Sequence, residues 1–399
     1  MRAPGIARGL PAAFWWLFLG QGVMALATFV FPFLALFLGS RGFSPAATGL
    51  VAALFGAGSL PAGILAGQAA DRLGRRPTLV GSLAAAAALT ALLPALASPP
   101  LVAVAVLLLG VAVHAWWPAM NAMVADLLPP SRYADAYGLL YWERNAGIAF
   151  SFAVGGALAR HGYGWLFVAD ALTTLLFAGV AWARLAETRP SPSPGRRAGE
   201  GAGYREALAD RHLVRLLALQ VALLLSMFQF MVALPIAMTA KGLGPADYGR
   251  AMAVNGVLIV LLQPASARLA ARWPDGSVLA AAALLVGAGT GAYALCAAPW
   301  TYAVATGVWT LGEILFIPTL SAVVSRLAPP ELRGRYQGLL SFAFGAGLAL
   351  APAVGGAVLG ALGATALWSG AAALAGAVAL GHLVAGRARV RAQGGAREG

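Results

Sequence analysis

This sequence predicts an all-α integral membrane protein, with twelve transmembrane helices in two pseudo-symmetric six-helix halves. Three observations predict it. The 399 residues are 60% hydrophobic and only 10% charged, with a mean hydropathy of +0.79. That leaves too few ionisable groups to cover a water-facing surface. Apolar runs recur along the chain at roughly the twenty residues a helix needs to cross ~30 Å of hydrocarbon. Finally, the stretches beginning at Pro118 and Pro318 share 17 of 40 positions at a constant offset of 200, without a gap. The shared positions include Pro129-Pro130 with Pro329-Pro330, Gly138 with Gly338, and Gly155-Gly156 with Gly355-Gly356.

Lipid admits only helices and closed barrels, and barrel strands would alternate in polarity over short segments. These runs, rich in Ala, Leu, Val and Gly, read as helices. The first, 14–38, is longer than a secretory apolar region and is followed by further spans, so it is expected to be a retained helix. It carries Gln21. The second span, 45–66, leads into GQAADRLGRRPTL at 67–79, where four charged residues crowd between Asp71 and Arg76. This stretch resembles the G-x-L-x-D-R-x-G-R-R/K-x-x-L signature of the major facilitator superfamily. Gly67, Asp71, Arg72, Gly74, Arg75, Arg76 and Leu79 match, and Ala69 departs by being small. The resemblance implies a secondary transporter working by alternating access, with this loop as a gating latch that favours the outward-facing state.

The third span is 77–96 and the fourth 101–125. On the fourth, His114, Trp117 and Asn121 fall at i, i+3 and i+7, one helical face that reads as cavity lining. Asp126 ends this span at the membrane level of Arg72, Arg75 and Arg76, so it is expected to pair with Arg75 or Arg76; the second half has Arg326 there. The fifth span, 135–159, holds Glu143 and Arg144 within YWERNAG. Its Gly147, Gly155 and Gly156 resemble the G-x-x-x-G-P-x-x-G-G signature of the drug:proton antiporters, with Ser151-Phe152 in place of Gly-Pro. In span eleven Ala351-Pro352 and Gly355-Gly356 fit that signature more closely. The sixth span, 164–183, carries Asp170.

Between spans six and seven lies the longest polar stretch, 184–212, whose Pro, Ser, Gly and Arg content marks a linker ending in a short amphipathic piece near Tyr204–Leu208. It separates an N-terminal half, 1–183, from a C-terminal half, 213–399. The second half runs through 213–238 with Gln220 and Gln229, 246–267 with Asn255 and Gln263, 277–297, 300–325, 335–360 and 364–386. After span eight, ARLAARWPDGSV keeps Arg272 but has Ala271 where Asp71 would be matched. Span ten carries Trp309 and, within TLGEILFIP, Glu313. Charges inside hydrocarbon are expensive and mark function by default. Glu313 has no sequence-adjacent cation and is the first candidate for the coupling proton, followed by Glu143 and then Asp170. Gln21, His114, Trp117, Asn121, Arg144, Gln229, Asn255 and Trp309 are the expected substrate-cavity residues. They describe a large, aromatic, mostly neutral cavity between the halves, near the bilayer midplane.

The net charge of +13 is an orientation signal rather than a nucleic-acid footprint. With the N-terminus inside, 22 of 27 basic residues fall on inner segments, as the positive-inside rule requires. Both termini are therefore expected in the cytoplasm, with the protein multi-pass in a plasma (inner) membrane. The single cysteine, Cys296, can form no internal disulfide. No Walker loop, Cys/His cluster or nucleophile motif is present, which disfavours an ATP pump or an enzyme. No metal and no cofactor are expected. The partners expected are a small molecule, protons and the lipid bilayer, for a chain acting as a monomer. The reading is proton-coupled export of lipophilic or amphipathic molecules. The alternative is a uniporter or proton symporter for a sugar or other metabolite, for which more hydroxyl-rich or charged lining would be expected.

Overall fold

A computed structural model describes residues 9–188, 202–270, 272–329 and 332–395. The first eight residues, most of the linker (189–201), Ala271, Pro330-Glu331 and the final four residues fall outside the described residues. The described residues form helices and connecting turns, with no strand. In chain order the helices are α1 (Ala12–Leu26), α2 (Val30–Ser40), α3 (Pro45–Arg72), α4 (Arg75–Leu92), α5 (Pro99–Leu127), α6 (Tyr133–Leu158) and α7 (Tyr163–Arg184). After the linker come α8 (Ala202–Ala209), α9 (Arg211–Met227), α10 (Ala233–Ala240), α11 (Pro245–Ala270), α12 (Asp275–Ala292), α13 (Pro299–Leu327) and α14 (Arg333–Gly395). The linker piece expected near Tyr204–Leu208 is α8, with Tyr204 and Leu208 exposed and Ala207 buried.

Nine described segments are long and apolar enough to cross a membrane. The last of them contains two helices, because Gly363 interrupts α14 at φ 82° and ψ 175°, a backbone position that suits glycine. The more polar α6 and α11 complete an arrangement that agrees with twelve spans.

Spans one and seven, expected as continuous helices, are each broken. A break in lipid exposes backbone polar groups that must find partners inside the protein. At the first break, Asp170 Oδ2 accepts from both Phe29 N and Val30 N at 2.9 Å, and Ser151 Oγ donates to Thr28 O at 2.7 Å. At the second, a 3-10 turn over Phe228–Met231 joins α9 to α10. Gln229 Nε2 there donates to Leu225 O at 2.6 Å and to Ala351 O at 3.2 Å. Ser151, which stands where the antiporter signature has glycine, thus donates from its side chain to a backbone carbonyl at the first break.

Two compact units make up the chain. The first comprises Met1–Phe37, Leu54–Arg196 and Gly244–Gly256; the second comprises Leu38–Ala53, Arg197–Leu243 and Val257–Gly399. Within the first, α3 and α5 approach closely enough that a Cβ on Gly58 would lie 2.5 Å from the Leu107 carbonyl oxygen, and one on Gly110 would overlap the Phe55 carbonyl. Small residues at such crossings let helices pack in lipid by van der Waals contact alone. Gly110→Val should therefore push the two backbones apart, at about 1–3 kcal/mol for overpacking. Thermal unfolding in detergent should show a lower midpoint, and an unchanged midpoint would mean that the crossing is not tight.

Candidate functional site

The polar side chains within the first unit fall into three groups. The first surrounds Glu143. α6 turns this residue toward α1, where it is 8% exposed. Gln21, wholly buried on α1, donates through Nε2 to Leu140 O and to Glu143 Oε2, both at 2.9 Å. Gly22 leaves the space that Glu143 Oε1 occupies, since a Cβ there would overlap that oxygen. Among the described residues, neither Glu143 Oε1 nor Gln21 Oε1 has a hydrogen-bond partner. A carboxylate can accept about four bonds, and this one receives a single amide N–H. A proton is the smallest group that supplies a missing donor at such a site.

The second group lies on the face of α5. His114, Trp117 and Asn121 are all half-buried there, as their spacing predicts. Arg144, one residue beyond Glu143, turns the other way and holds its guanidinium 5.1 Å from the centre of the Trp117 ring. His114 Nδ1 lies 2.7 Å from Gly110 O. A carbonyl can only accept, so the proton is assigned to Nδ1, leaving Nε2 to accept in the neutral ring. Phe55 meets the His114 ring edge-on at 5.3 Å, and Tyr137 donates its hydroxyl to Asn121 O at 2.8 Å. The result is a cation, an aromatic plane and an imidazole on adjoining helices.

Asp170 makes the third group and has a different role. Its bonds to Phe29 N and Val30 N, with Thr174 Oγ1 donating to its other oxygen at 3.4 Å, hold the start of α2. This is helix capping from a distant helix: Asp170, a proton-coupling candidate in the sequence, stands here as an acceptor of backbone N–H groups.

Three expected cavity residues are buried between helices. Gln21 has no exposed surface and Gln229 almost none, because both amides are engaged between helices. Trp309 is 1% exposed: its Nε1 donates to Tyr293 Oη at 2.7 Å, and Phe230 covers its ring in a parallel stack at 5.6 Å. Asn255 on α11 and Glu313 on α13 are half-buried, the former in the first unit and the latter in the second.

The charged loop forms a network joining four helices at one end of the first unit. Arg75, at the start of α4, bonds Asp71 Oδ1 through Nη1 at 2.6 Å and Asp126 Oδ2 through Nε at 3.4 Å. The pair expected between Asp126 and either Arg75 or Arg76 is thus made by Arg75. Arg76 lies over the Trp182 ring at 4.4 Å and donates to the Trp182 carbonyl. Arg72 ends α3 with an exposed side chain, and open space surrounds Gly67. Gly74 has φ 114°, and a Cβ on it would overlap Glu187.

Glu187 escaped the sequence reading. Just beyond α7, it accepts from Arg75 N at 2.8 Å through one oxygen and from Arg76 N at 3.1 Å through the other. A carboxylate there satisfies orphan N–H groups and complements the positive end of the helix dipole. Its neighbour Thr188 donates to Asp126 Oδ2 at 3.0 Å. Glu187→Ala should lower the thermal midpoint by the equivalent of about 0.5–2 kcal/mol, the range for losing an N-cap. Glu187→Gln should lower it less, because one acceptor oxygen remains. Midpoints equal to wild type in both variants would remove the capping role.

The second unit carries a charge-reversed counterpart. Arg326 Nη2 lies 2.6 Å from Asp275 Oδ2. At the offset of 200 these two positions match Asp126 and Arg75, so the ion pair persists with its signs exchanged. Exchange keeps the attraction, and so a search for the motif's acid alone misses it.

Comparison with known proteins places these geometries in a family. The sequence profile described as Major Facilitator Superfamily matches residues 17–315 and 216–394. A Na(+), Li(+), K(+)/H(+) antiporter of Planococcus maritimus is 26% identical over 356 residues, which is 81% of this chain and 84% of that protein. Multidrug resistance protein MdtH of Yersinia pestis (strain Pestoides F) is 26% identical over 329 residues, 82% of this chain and 80% of its own. Among solved structures, the nucleoside transporter NupG superposes with a TM-score of 0.76 at 13% identity, covering 94% of this chain and 99% of that one.

Proposed function

The chain belongs to the Major Facilitator Superfamily, and on that premise we propose that it is a proton-coupled exporter of lipophilic or amphipathic small molecules, with Glu143 as the carrier of the coupling proton. The observation that carries this reading is the unpartnered Oε1 of a nearly sealed carboxyl group, held in place by one amide of Gln21. Burying an uncompensated carboxylate is costly, and a titratable group in a span is a functional candidate by default. An antiporter needs one group that takes a proton on one side and releases it on the other. Glu143 is anchored by Gln21 yet keeps an oxygen open for that proton, and the adjoining residue, Arg144, sits on the face with Trp117 and His114. Proton and cargo would therefore act on adjacent residues of α6. Glu313 remains the second candidate.

The aromatic and imidazole groups around Arg144 suit an apolar body, and its guanidinium suits a neutral or anionic polar end. The excess of basic residues on alternate loops supports both termini, and the Arg75 network, lying in the cytoplasm of a plasma membrane. The name of the Planococcus maritimus relative motivates a second reading, exchange of monovalent cations for protons. Arg144 opposes it, because a guanidinium on the same face repels a bare cation.

Purified protein in liposomes with an imposed pH gradient tests both readings. Proton flux that follows addition of a lipophilic anion or neutral amphipath, and not of NaCl, LiCl or KCl, supports drug-type export. Flux that follows only the salts supports cation exchange.

A further inference from the structure

In the second unit α8 leads through Asp210 directly into α9, whose apolar run from Arg211 to Met231 is long enough to cross a membrane. The short helix therefore lies where a span leaves the hydrocarbon. It packs on α9 and on the start of α14. Ala207 is wholly buried, and Tyr336 Oη donates to Asp210 Oδ2 at 2.9 Å. The Tyr204 hydroxyl reaches to 3.3 Å from the point that a Cβ on Gly338 would take. Tyr204 nevertheless stays 47% exposed, and Leu208, one turn on, 51%. Residues four apart share a helical face, so two large apolar groups stand open together at the membrane boundary.

Cations gather at the same corner. Arg205 on α8, Arg211 and Arg215 on α9, and Arg333 on α14 are exposed, and Arg335 is half-buried. The Tyr336–Asp210 bond draws Arg333, one turn before Tyr336, toward Arg211, the neighbour of Asp210. Arg215 follows Arg211 on one helical face, about 6 Å further along, the depth of one headgroup layer. Among the described residues none of these arginines makes an ion pair. The described acids on these turns are Glu206 and Asp210, and both Asp210 oxygens are engaged, by Tyr336 Oη and by His212 N at 2.8 Å. The internal repeat sharpens the contrast. At an offset of 200, Arg335 matches Asp135, which pairs with Arg132 at 3.3 Å in the first unit. The first unit neutralises its charge there, and the second accumulates it.

We infer that α8, with the first turns of α9 and α14, is a docking surface for anionic phospholipid. Arg205, Arg211, Arg215 and Arg333 take the headgroup phosphates, while Tyr204 and Leu208 enter the boundary between headgroups and acyl chains. Open apolar groups beside cations that lack ion-pair partners are the two attractions that hold an amphipathic helix on an anionic leaflet. Long arginine stems can lie along the apolar surface and keep their charge at headgroup level. The linker would then be pinned to the membrane at its second end. This surface does not depend on the export reading, and its test needs no transport.

The test titrates the purified full chain in detergent with dioleoylphosphatidylglycerol or, as the zwitterionic match, dioleoylphosphatidylcholine. Wild type should gain several degrees in thermal midpoint with the first lipid alone, since a ligand of the folded state stabilises it. High salt should erase the gain. Arg205→Gln, Arg211→Gln and Arg333→Gln combined should raise the phosphatidylglycerol needed for half the gain at least about tenfold, given roughly fivefold per arginine at an anionic surface. If that variant fails to fold, Arg211→Gln alone should raise it about fivefold. For the apolar face, a fluorophore on Leu208→Cys, with Cys296→Ala, should be quenched in liposomes by doxyl-labelled lipid and shielded from iodide. A gain that survives the arginine substitutions, or an equal gain with phosphatidylcholine, overturns the docking surface. So does a label quenched by iodide alone. An equal gain with inorganic phosphate overturns it as well, and would mark a site for soluble anions instead.

Discussion

Glu143→Gln should abolish pH-gradient-driven transport in liposomes, lowering the driven rate by at least tenfold, while exchange of substrate without a gradient continues. The substitution is nearly isosteric and leaves one oxygen to accept from Gln21 Nε2, so the α1–α6 contact at 2.9 Å survives. What it removes is the ability to gain and lose a proton. A side chain locked in the uncharged form can still let the carrier turn over with cargo, but cannot make that turnover depend on pH. Wild-type exchange should therefore vary with pH and the variant should be flat. A tenfold loss corresponds to ~1.4 kcal/mol, well above the ~0.6 kcal/mol average of an interhelical hydrogen bond in lipid, so a merely structural role is distinguishable. Gln21→Leu supplies the structural control: it removes the anchor but not the acid, and should lower the thermal midpoint with pH dependence retained. If driven transport persists in Glu143→Gln and is lost in Glu313→Gln, Glu313 is the carrier and the assignment moves to the second unit.

The sequence made the spans legible because length and hydropathy are enough to mark a helix in lipid. It did not reveal the two breaks. Ala27–Phe29 and Phe228–Val232 continue the apolar run without a break signal, and the side chains that stabilise the first break, Ser151 and Asp170, lie more than a hundred residues away in sequence. Nor did it reveal that Gln21, Gln229 and Trp309 bond neighbouring helices. In a helix apolar on all sides, a lone polar residue can face a cavity or a neighbouring helix, and composition does not choose between them. The face carrying His114, Trp117 and Asn121 was readable because three such residues kept helical spacing. Asp126 was readable because it ends a span at the level of the arginines. Glu187 was hidden by its setting, since the Pro- and Ser-rich stretch after it reads as linker.

Within the Arg75 network, Asp126→Asn should destabilise the fold more than Asp71→Asn, although the motif features Asp71. Arg75 is 15% exposed at its side chain, Asp126 20% and Asp71 73%. An exposed i, i+4 pair such as Arg75–Asp71 contributes only about 0.3–0.5 kcal/mol. The Arg75–Asp126 pair is less exposed than the Asp71 pair, links α4 to the end of α5, and is supported by Thr188. Leaving the half-buried Arg75 with only its exposed partner should lower the thermal midpoint by the equivalent of about 1–2 kcal/mol, the scale of a hydrogen bond to a charged group. Arg75→Gln should lose at least as much, since it removes both pairs together. Asp71 then contributes little to holding the loop, and its exposed carboxylate is available to another partner when the carrier changes state. That is the property a latch needs: weak in one conformation, engaged in the other. Asp71→Asn should accordingly leave the midpoint nearly unchanged but slow transport several-fold, with altered labelling of cysteines introduced at the basic-loop end. A large fall in midpoint for Asp71→Asn, or wild-type transport and labelling in that variant, would reverse the ranking and make Asp71 an ordinary surface charge.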